Sequence, residues 1–315
     1  MRGSRQYWPH KRARRLLPRV RSNPQKTTLG LNGLIAYKAG MATAIMIDDS
    51  ESPSKQQEIS RACTILEVPR TVLYGIRLYG RDKYSNYKVS CADIYDSSTL
   101  QKLGKKTIKS AKLEDVKKDL SKYIDIRALL VSFPKGLPVG THHIQKFEVG
   151  VGGKDINEKF SFLESMLGKP VSVKDIIKQG EYVNVTSISK GKGWQGVIKR
   201  YGVARVSHKA TQKVRHVGTL GPSTPGKVLF TVPQAGQMGF NYRSERNKRV
   251  IKIGDSNESA SINISGGLLN YGNVHNEFIV LEGSVPGPAK RLVRIRESQT
   301  KRNVNIKEPK VISIR

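Results

Sequence analysis

The amino-acid sequence predicts a mainly β protein, and three observations support this prediction. Short runs rich in branched and aromatic residues recur along the 315-residue chain, each bounded by Gly, Pro, Asp or Asn. Helical spacing of apolar residues is concentrated in one interval, residues 96–177. The hydrophobic content of 37% is enough for a sizeable core, and the length suggests about two domains. Several short strands joined by turns favour a small barrel or sandwich.

The first predicted strands lie at residues 32–47, 62–68, 71–79 and 86–92. A first helix is predicted over residues 112–124, where four apolar side chains share one face. A second helix is predicted after Asp155, which has the spacing of a capping pair with Glu158. These helices make residues 96–177 an α+β insertion.

Strand patterns resume at residues 181–189 and recur at 259–265, 277–283 and 290–297. In the last run, Val293 and Ile295 alternate with Arg294 and Arg296. One face of this strand can therefore pack inward, while the other presents two guanidinium groups.

About sixty residues with little periodicity separate the strand at 181–189 from a strand that starts near Val250. An excursion of this length is uncommon in a compact domain and usually signals function or disorder. The segment is cationic and rich in Gly, Gln, Asn, Ser and Thr. These residue types satisfy phosphates, sugars and base edges, so the segment is predicted to contact RNA.

The positive charge is concentrated in three stretches, residues 1–28, 190–252 and 286–315. They hold 29 of the net +31 charges, whereas the remaining residues are nearly neutral. Such extensions have too little apolar surface to fold alone and are expected to order against a partner. A nearly neutral body with cationic extensions predicts a polyanion partner, of which nucleic acid is the obvious one.

The sequence offers little support for an enzyme. Gly191, Gly193 and Gly196 spell G-x-G-x-x-G after a predicted strand, but the following segment is too short for the required helix and no acid follows to hold a ribose. No P-loop and no metal-binding His/Cys motif occurs, so no catalytic residue, metal or cofactor is predicted. An RNA-modifying or RNA-processing enzyme with a basic substrate-binding surface stays open as the alternative, and it would require a cofactor pocket or paired acids.

Other features of the sequence predict a soluble protein without disulfides. Cys63 and Cys91 lack neighbouring metal ligands and are expected to be buried free thiols. The longest apolar stretch, residues 33–47, contains a lysine and is too short for a membrane helix. Three prolines interrupt the basic N-terminus, which favours a nucleic-acid arm over a transit peptide.

Several long motifs occur in a fixed order along the chain. They are KAGM at 38–41, GEYVNVTSISKGKGWQGVIKRYGV from Gly180, TPGKVLFTVPQAGQMGFNYRSERNKRV from Thr224 and NYGNVHNEFIVLEGSVPGPAKRLVRIRES from Asn270. In these motifs the chain resembles the ribosomal protein L three family in its archaeal form. The resemblance implies a translation-protein-type β-barrel with an α+β insertion and long basic extensions.

The resemblance also implies a function and its partners. The chain would be a structural constituent of the large ribosomal subunit that binds large-subunit rRNA and neighbouring large-subunit proteins. It would support early subunit assembly and extend a finger toward the peptidyl transferase centre. It would act in the cytoplasmic ribosome, without a small-molecule substrate or a membrane.

The predicted organisation has five parts. Residues 1–28 form a basic N-terminal extension, residues 29–95 and 178–300 form the barrel, residues 96–177 form the insertion, and residues 301–315 form a basic tail. The finger is a loop of the barrel at residues 190–249.

The residues predicted to bind rRNA lie in three groups. In the extension they are Arg2, Arg5, Trp8, Lys11, Arg12, Arg14, Arg15, Arg19 and Arg21. In the finger they are Lys190, Lys192, Trp194, Lys199, Arg200, Arg205, His208, Lys209, Lys213, Arg215, Ser223, Lys227, Gln234, Gln237, Asn241, Arg243, Arg246, Lys248 and Arg249. In the last strand they are Lys290, Arg291, Arg294 and Arg296.

Two aromatic questions remain open at the sequence level. Trp8 could stack on bases or anchor the arm to protein. At the finger tip Ser223 stands where archaeal and eukaryotic members of the family commonly carry tryptophan, and a serine supplies no stacking face. Trp194 lies near the base of the finger and is not an evident substitute.

Overall fold

The computed structural model describes residues 4–20, 26–82, 84, 87–104, 110–141, 143–207, 209–210, 212–298 and 307–315. Its strands are β1 (Gly30–Leu31), β2 (Leu34–Ile47), β3 (Glu58–Glu67), β4 (Arg70–Arg81), β5 (Lys88–Tyr95), β6 (Asp125–Phe133), β7 (Gln145–Gly152), β8 (Pro170–Val171), β9 (Tyr182–Ile188), β10 (Trp194–Gln195), β11 (Gly236–Gln237), β12 (Tyr242–Gly254), β13 (Phe278–Glu282), β14 (Leu292–Glu297) and β15 (Val311–Ile314). Its α-helices are α1 (Ser97–Lys102), α2 (Leu113–Lys118), α3 (Ile156–Met166) and α4 (Val197–Tyr201). The prediction of a mainly β fold is confirmed.

Six antiparallel strands form a closed barrel in the order β2, β3, β13, β12, β9, β14. The ring closes because β14 pairs with β9 on one side and with the first half of β2 on the other, from Leu292 opposite Tyr37 to Ile295 opposite Leu34. The far half of β2 pairs with β15. This closure leaves no barrel strand without two neighbours, which removes the open edges of a flat sheet.

A second antiparallel sheet, ordered β1, β7, β6, β4, β5 with β8 added to β4, lies beside the barrel. Helix α3 buries Phe160 and Leu163 in the same continuous apolar core that both sheets share. A polar surface of this sheet carries close ion pairs, including Arg77 with Asp93 at 2.7 Å and Lys88 with Asp125 at 3.0 Å. Many acids of the insertion are therefore paired with cations of the protein itself.

The sheet topology corrects the boundary predicted at residue 95. Strand β4 pairs with β5 on one side and with β6 on the other, rather than with a barrel strand, so residues 70–95 belong to the second sheet. Sequence patterns identify strands but carry no information on which distant strand pairs with them. The boundary at 300 also changes, because β15 in the predicted tail is hydrogen-bonded to β2.

Two local predictions were wrong in extent or type. The helix over 112–124 ends at Lys118 and is followed by a separate 3-10 turn at Leu120–Lys122, although its apolar side chains do pack on the core. Residues 259–265 form no strand, because a 3-10 helix occupies Ser256–Ser261. Ser261 Oγ there donates to the carbonyl of Glu258, and such local side-chain bonds compete with a sheet ladder.

The strand predicted near Val250 begins eight residues earlier, at Tyr242. Residues 242–249 pair with β9 and belong to the barrel, so the finger spans 190–241. The two cysteines also differ from the prediction in one respect: Cys63 is buried, but Cys91 is exposed on β5. No helix of the described residues has the length and apolarity needed to span a membrane.

Candidate nucleic-acid interface

The N-terminal extension is fixed to the base of the finger. The backbone N–H of Ala13 donates to the carbonyl of Phe240 at 2.8 Å, and the hydroxyl of Tyr242 donates to the carbonyl of Arg15 at 3.3 Å. With its side-chain amide oriented to satisfy its neighbours, Asn241 donates to the carbonyl of Lys11 at 2.7 Å. The extension therefore follows the chain that leads from the finger back into the barrel.

Phe240 organises the junction of all three basic stretches. The guanidinium carbons of Arg12 and Arg291 each lie 5.2 Å from its ring centroid, within the range of a cation–π contact. Phe240 adopts a φ of +55°, and the preceding Gly239 has a φ of +70°. A Cβ on Gly239 would lie 2.1 Å from the carbonyl oxygen of Lys190, so this turn requires glycine. Arm, finger and last strand thus present their charge at one place.

The base of the finger has a small built structure. Strands β10 and β11 pair, with Trp194 opposite Gln237. Helix α4 lies between Gly196 and Gly202, and the latter ends it in the left-handed conformation that glycine favours. Arg200 on this helix donates to the carbonyl of Gln234 at 2.8 Å and to that of Gln237 at 3.1 Å. The two legs of the finger are therefore joined at this level.

Beyond its base the finger extends without a core. No helix or strand occurs among the described residues of 203–235, and residues 218–230, including Ser223, are all exposed. Among the described residues predicted to bind rRNA, the exposed cations are Lys11, Arg12, Arg14, Arg15, Arg19, Lys190, Lys192, Lys199, Arg205, Lys209, Lys213, Arg215, Lys227, Arg246 and Lys290. We call these residues the cationic face. The sequence has no Asp or Glu at residues 1–47, 182–244 or 283–296. The positive charge of the cations in these stretches is therefore not neutralised by neighbouring acids along the chain, and it is available to an external polyanion.

Two predicted RNA contacts instead have protein partners. Both terminal nitrogens of Arg249 donate to the carboxylate of Asp49, and one also donates to the carbonyl of Lys307 at 2.9 Å. Arg294 donates to the carbonyl of Glu148 and lies 5.8 Å over the ring of Phe147. Burial lowers the pKa of Arg294 to about 10. Both residues thus join segments of the protein to one another, and their contact with RNA stays a prediction.

The neighbours of these two arginines are also partly covered. Burial lowers the pKa of Arg291, and burial together with the nearby charge of Arg246 lowers that of Arg296. Lys248 lies 3.9 Å from Glu245. Of the cations in and just before β14, Lys290 is therefore the one that is exposed.

Of the predicted polar contacts, two amides are already used inside the protein. The Gln237 amide donates to the carbonyls of Met238 and Gly239, and the Asn241 amide is engaged with the arm. Gln234 is exposed. Arg2, Arg21 and His208, together with the side chain of Arg5, lie outside the described residues.

The tryptophans have different environments. Trp8 packs against protein, with ring centroids 6.2 Å from Tyr201 and 5.8 Å from Phe230. Of the two interpretations of Trp8, the structure therefore supports anchoring of the arm. Trp194 is 76% exposed at the base of the finger. Phe240 and Tyr201 were not among the residues predicted from the sequence to form the interface. The one feature of the sequence that could have indicated them is an aromatic residue next to a glycine in a stretch without acids.

Among the described residues no group of three His, Cys, Asp or Glu side chains is close enough to hold a metal ion. What the arrangement offers is a rigid barrel, an arm tied to a finger, and exposed cations without local acids. Fold and site together define a basic polyanion-binding protein whose scaffold positions two extended segments.

Comparison with known proteins shows which family of basic polyanion-binding proteins the chain belongs to. The profile of the family described as "Ribosomal protein L3" matches residues 1–123 and 84–313. The chain is 39% identical to the "Large ribosomal subunit protein uL3" of Methanothermobacter thermautotrophicus, over 94% of this chain and 90% of the relative. The proteins of the same name from Methanocaldococcus jannaschii and Methanopyrus kandleri are also 39% identical, over 99% and 94% of this chain and 95% and 84% of their own. The chain belongs to the ribosomal protein L3 family.

Proposed function

We propose that the chain is a structural constituent of the large ribosomal subunit that binds large-subunit rRNA. The acid-free cationic face carries this proposal, because its arm and finger are joined at Phe240 and project from a closed barrel. Phosphate contacts of this kind give affinity and orientation but little sequence information. The shape of folded rRNA supplies the specificity.

The family relationship supports the assignment in detail. The relatives that match nearly the whole chain are named for the large ribosomal subunit. By membership of this family, the chain supports early subunit assembly and its finger extends toward the peptidyl transferase centre. It acts in the cytoplasmic ribosome beside neighbouring large-subunit proteins and is not an enzyme.

Sucrose-gradient fractionation of cell extract at moderate salt tests the proposal. The protein is expected in the large-subunit peak, and it should leave the subunit as salt is raised because phosphate contacts release counterions. Sedimentation at the top of the gradient at moderate salt, away from the subunits, would contradict the proposal.

A further inference from the structure

A cavity lies where the N-terminal extension meets the finger. It has a volume of about 360 Å³, within the range of about 300–1,000 Å³ typical of small-molecule sites. Aromatic side chains from both segments line it, namely Trp8, His10, Tyr201 and Phe230. The rings of His10 and Tyr201 are stacked, with centroids 5.7 Å apart and an interplanar angle of 21°. Phe230 instead meets Trp8 edge-on, at an interplanar angle of 77°, and its ring is largely exposed, so a planar aromatic ligand can stack on it.

The residues that line the cavity indicate whether it suits the base or the phosphate of a nucleotide. Arg200 also lines the cavity, but its guanidinium already donates to the carbonyls of Gln234 and Gln237. The pKa of His10 is lowered by burial and by the charges of Arg200 and Arg243, so its imidazole is neutral at pH 7 and adds ring surface. The wall is thus better suited to a base than to a phosphate.

One polar group of the wall lacks a partner. The indole N–H of Trp8 is buried and has no acceptor among the described residues. A buried donor left in this state is unfavourable, and an acceptor brought by a ligand would relieve it. Every nucleobase carries such acceptors on its edge.

The surroundings of the cavity favour RNA over an apolar protein segment. Phe230 is 71% exposed and Leu229 is 53% exposed, although both are large and apolar. Lys199 and Lys227, which adjoin the cavity-lining residues Arg200 and Val228, are exposed cations. A single-stranded nucleic acid combines stacking bases with phosphates in this way.

We propose that this cavity receives one unpaired base of the bound RNA, stacked on the exposed ring of Phe230 beside Trp8 and Tyr201. The inference rests on the proposed rRNA binding and adds to it a base-binding site. The base is held by its ring face, so the site accepts any nucleobase and rejects a position that lacks one.

The chain has two tryptophans, so Trp194→Phe leaves Trp8 as the sole tryptophan and its fluorescence reports on the cavity. The probes are two fluorescein-labelled strands of seven abasic phosphodiester units, one of which carries a single adenosine at its centre. Anisotropy measures the binding of each strand to the full chain, and Trp8 emission measures occupancy of the cavity.

Both strands are expected to bind in a salt-dependent manner, because both carry the phosphates. The adenosine strand should bind roughly 5- to 150-fold more tightly, the effect of stacking one base, and should alone quench Trp8 in a saturable way. Phe230→Ala, at an exposed ring, should reduce the advantage of the adenosine strand. Leu220→Ala, at an exposed finger residue that does not line the cavity, should leave it unchanged.

The outcomes separate the two proposals. Equal binding of both strands without quenching of Trp8 would overturn the base site, leave RNA binding intact and indicate that the cavity receives a protein side chain. An unchanged adenosine advantage in Phe230→Ala would also overturn the base site. Failure of both strands to bind would count against the proposed function and the inference together.

Discussion

At the residue scale, a single buried carboxylate joins the barrel to a distant loop. Glu67 at the end of β3 is fully buried and accepts hydrogen bonds from the hydroxyl of Tyr271 at 2.7 Å, the backbone N–H groups of His275 and Asn276, and the side-chain amide of Asn276 at 2.8 Å. Burial and the nearby charge of Glu67 raise the pKa of Tyr271, so this hydroxyl remains a donor at every physiological pH. Four donors around one carboxylate satisfy a group that is otherwise costly to bury.

The substitution Glu67→Gln should lower the free energy of unfolding by about 2–4 kcal/mol, because it removes the charge and places an amide donor among donors. Urea unfolding followed by circular dichroism measures this change. The matched control is Glu58→Gln at the exposed start of the same strand, which should shift stability by less than about 0.5 kcal/mol. Equal effects of the two substitutions would contradict the role assigned to Glu67.

At the scale of elements, the finger is an appendage with a closed base. Arg200 bridges to the carbonyl of Gln234, so the chain positions at which the finger leaves and returns are close together. Beyond this bridge the described residues of 203–235 form no helix or strand. The finger therefore adds charge and reach while contributing little to the barrel core.

Replacement of residues 204–232 by a four-residue Gly-Ser linker should leave the unfolding free energy within about 1 kcal/mol of the parent, since exposed segments contribute little. It removes five Lys/Arg and should reduce the salt slope of rRNA binding by up to about four, at roughly 0.7–0.9 for each lost phosphate contact. Urea unfolding and filter binding across a salt titration measure the two effects.

The contrasting variant deletes residues 242–249. These residues are half of β12 and pair with β9, so cooperative unfolding should be lost. A finger replacement that unfolded in the same way would show that residues 204–232 belong to the core.

Whether the sequence predicts an element depends on whether buried apolar side chains or backbone hydrogen bonds stabilise it. Strand β2 was predictable because branched and apolar side chains fill it. The start of β12 was not, because residues 242–249 are largely exposed and are held by backbone hydrogen bonds to β9. Charge likewise located the exposed cationic face, but it could not show that Arg249 and Arg294 have protein partners, since Asp49 and Glu148 meet them only once the chain is folded.

At the scale of the whole molecule, the distribution of acids divides the surface into two kinds. Several cations of the insertion have acidic partners, such as Lys117 with Glu164 at 2.6 Å and Lys122 with Asp119 at 2.7 Å. Cations of the arm and the finger come from stretches without acids. We therefore expect RNA binding to depend on where the cations lie and not on net charge alone.

Two triple variants with the same change in net charge test this division. Lys190, Lys192 and Lys199 changed to Gln should weaken binding to large-subunit rRNA and lower its salt slope by about two to three, because their charges face phosphate. Lys88, Lys117 and Lys122 changed to Gln should leave the slope unchanged, because these cations of the second sheet and the insertion are paired with acids of the protein. Equal losses of slope would show that only total charge matters.

The closure of the barrel also determines the order in which the two sheets can form while the chain is being synthesised. Strand β2 must wait for β14, which follows it by about 260 residues, before Leu34 can pair with Ile295. At about 5–20 residues per second this wait is roughly 15–50 s. Strands β4 to β7 pair locally and are complete well before that time, so the second sheet can form first. The basic arm is synthesised before this interval begins. A newly made chain therefore exposes its cationic N-terminal segment before the barrel is complete.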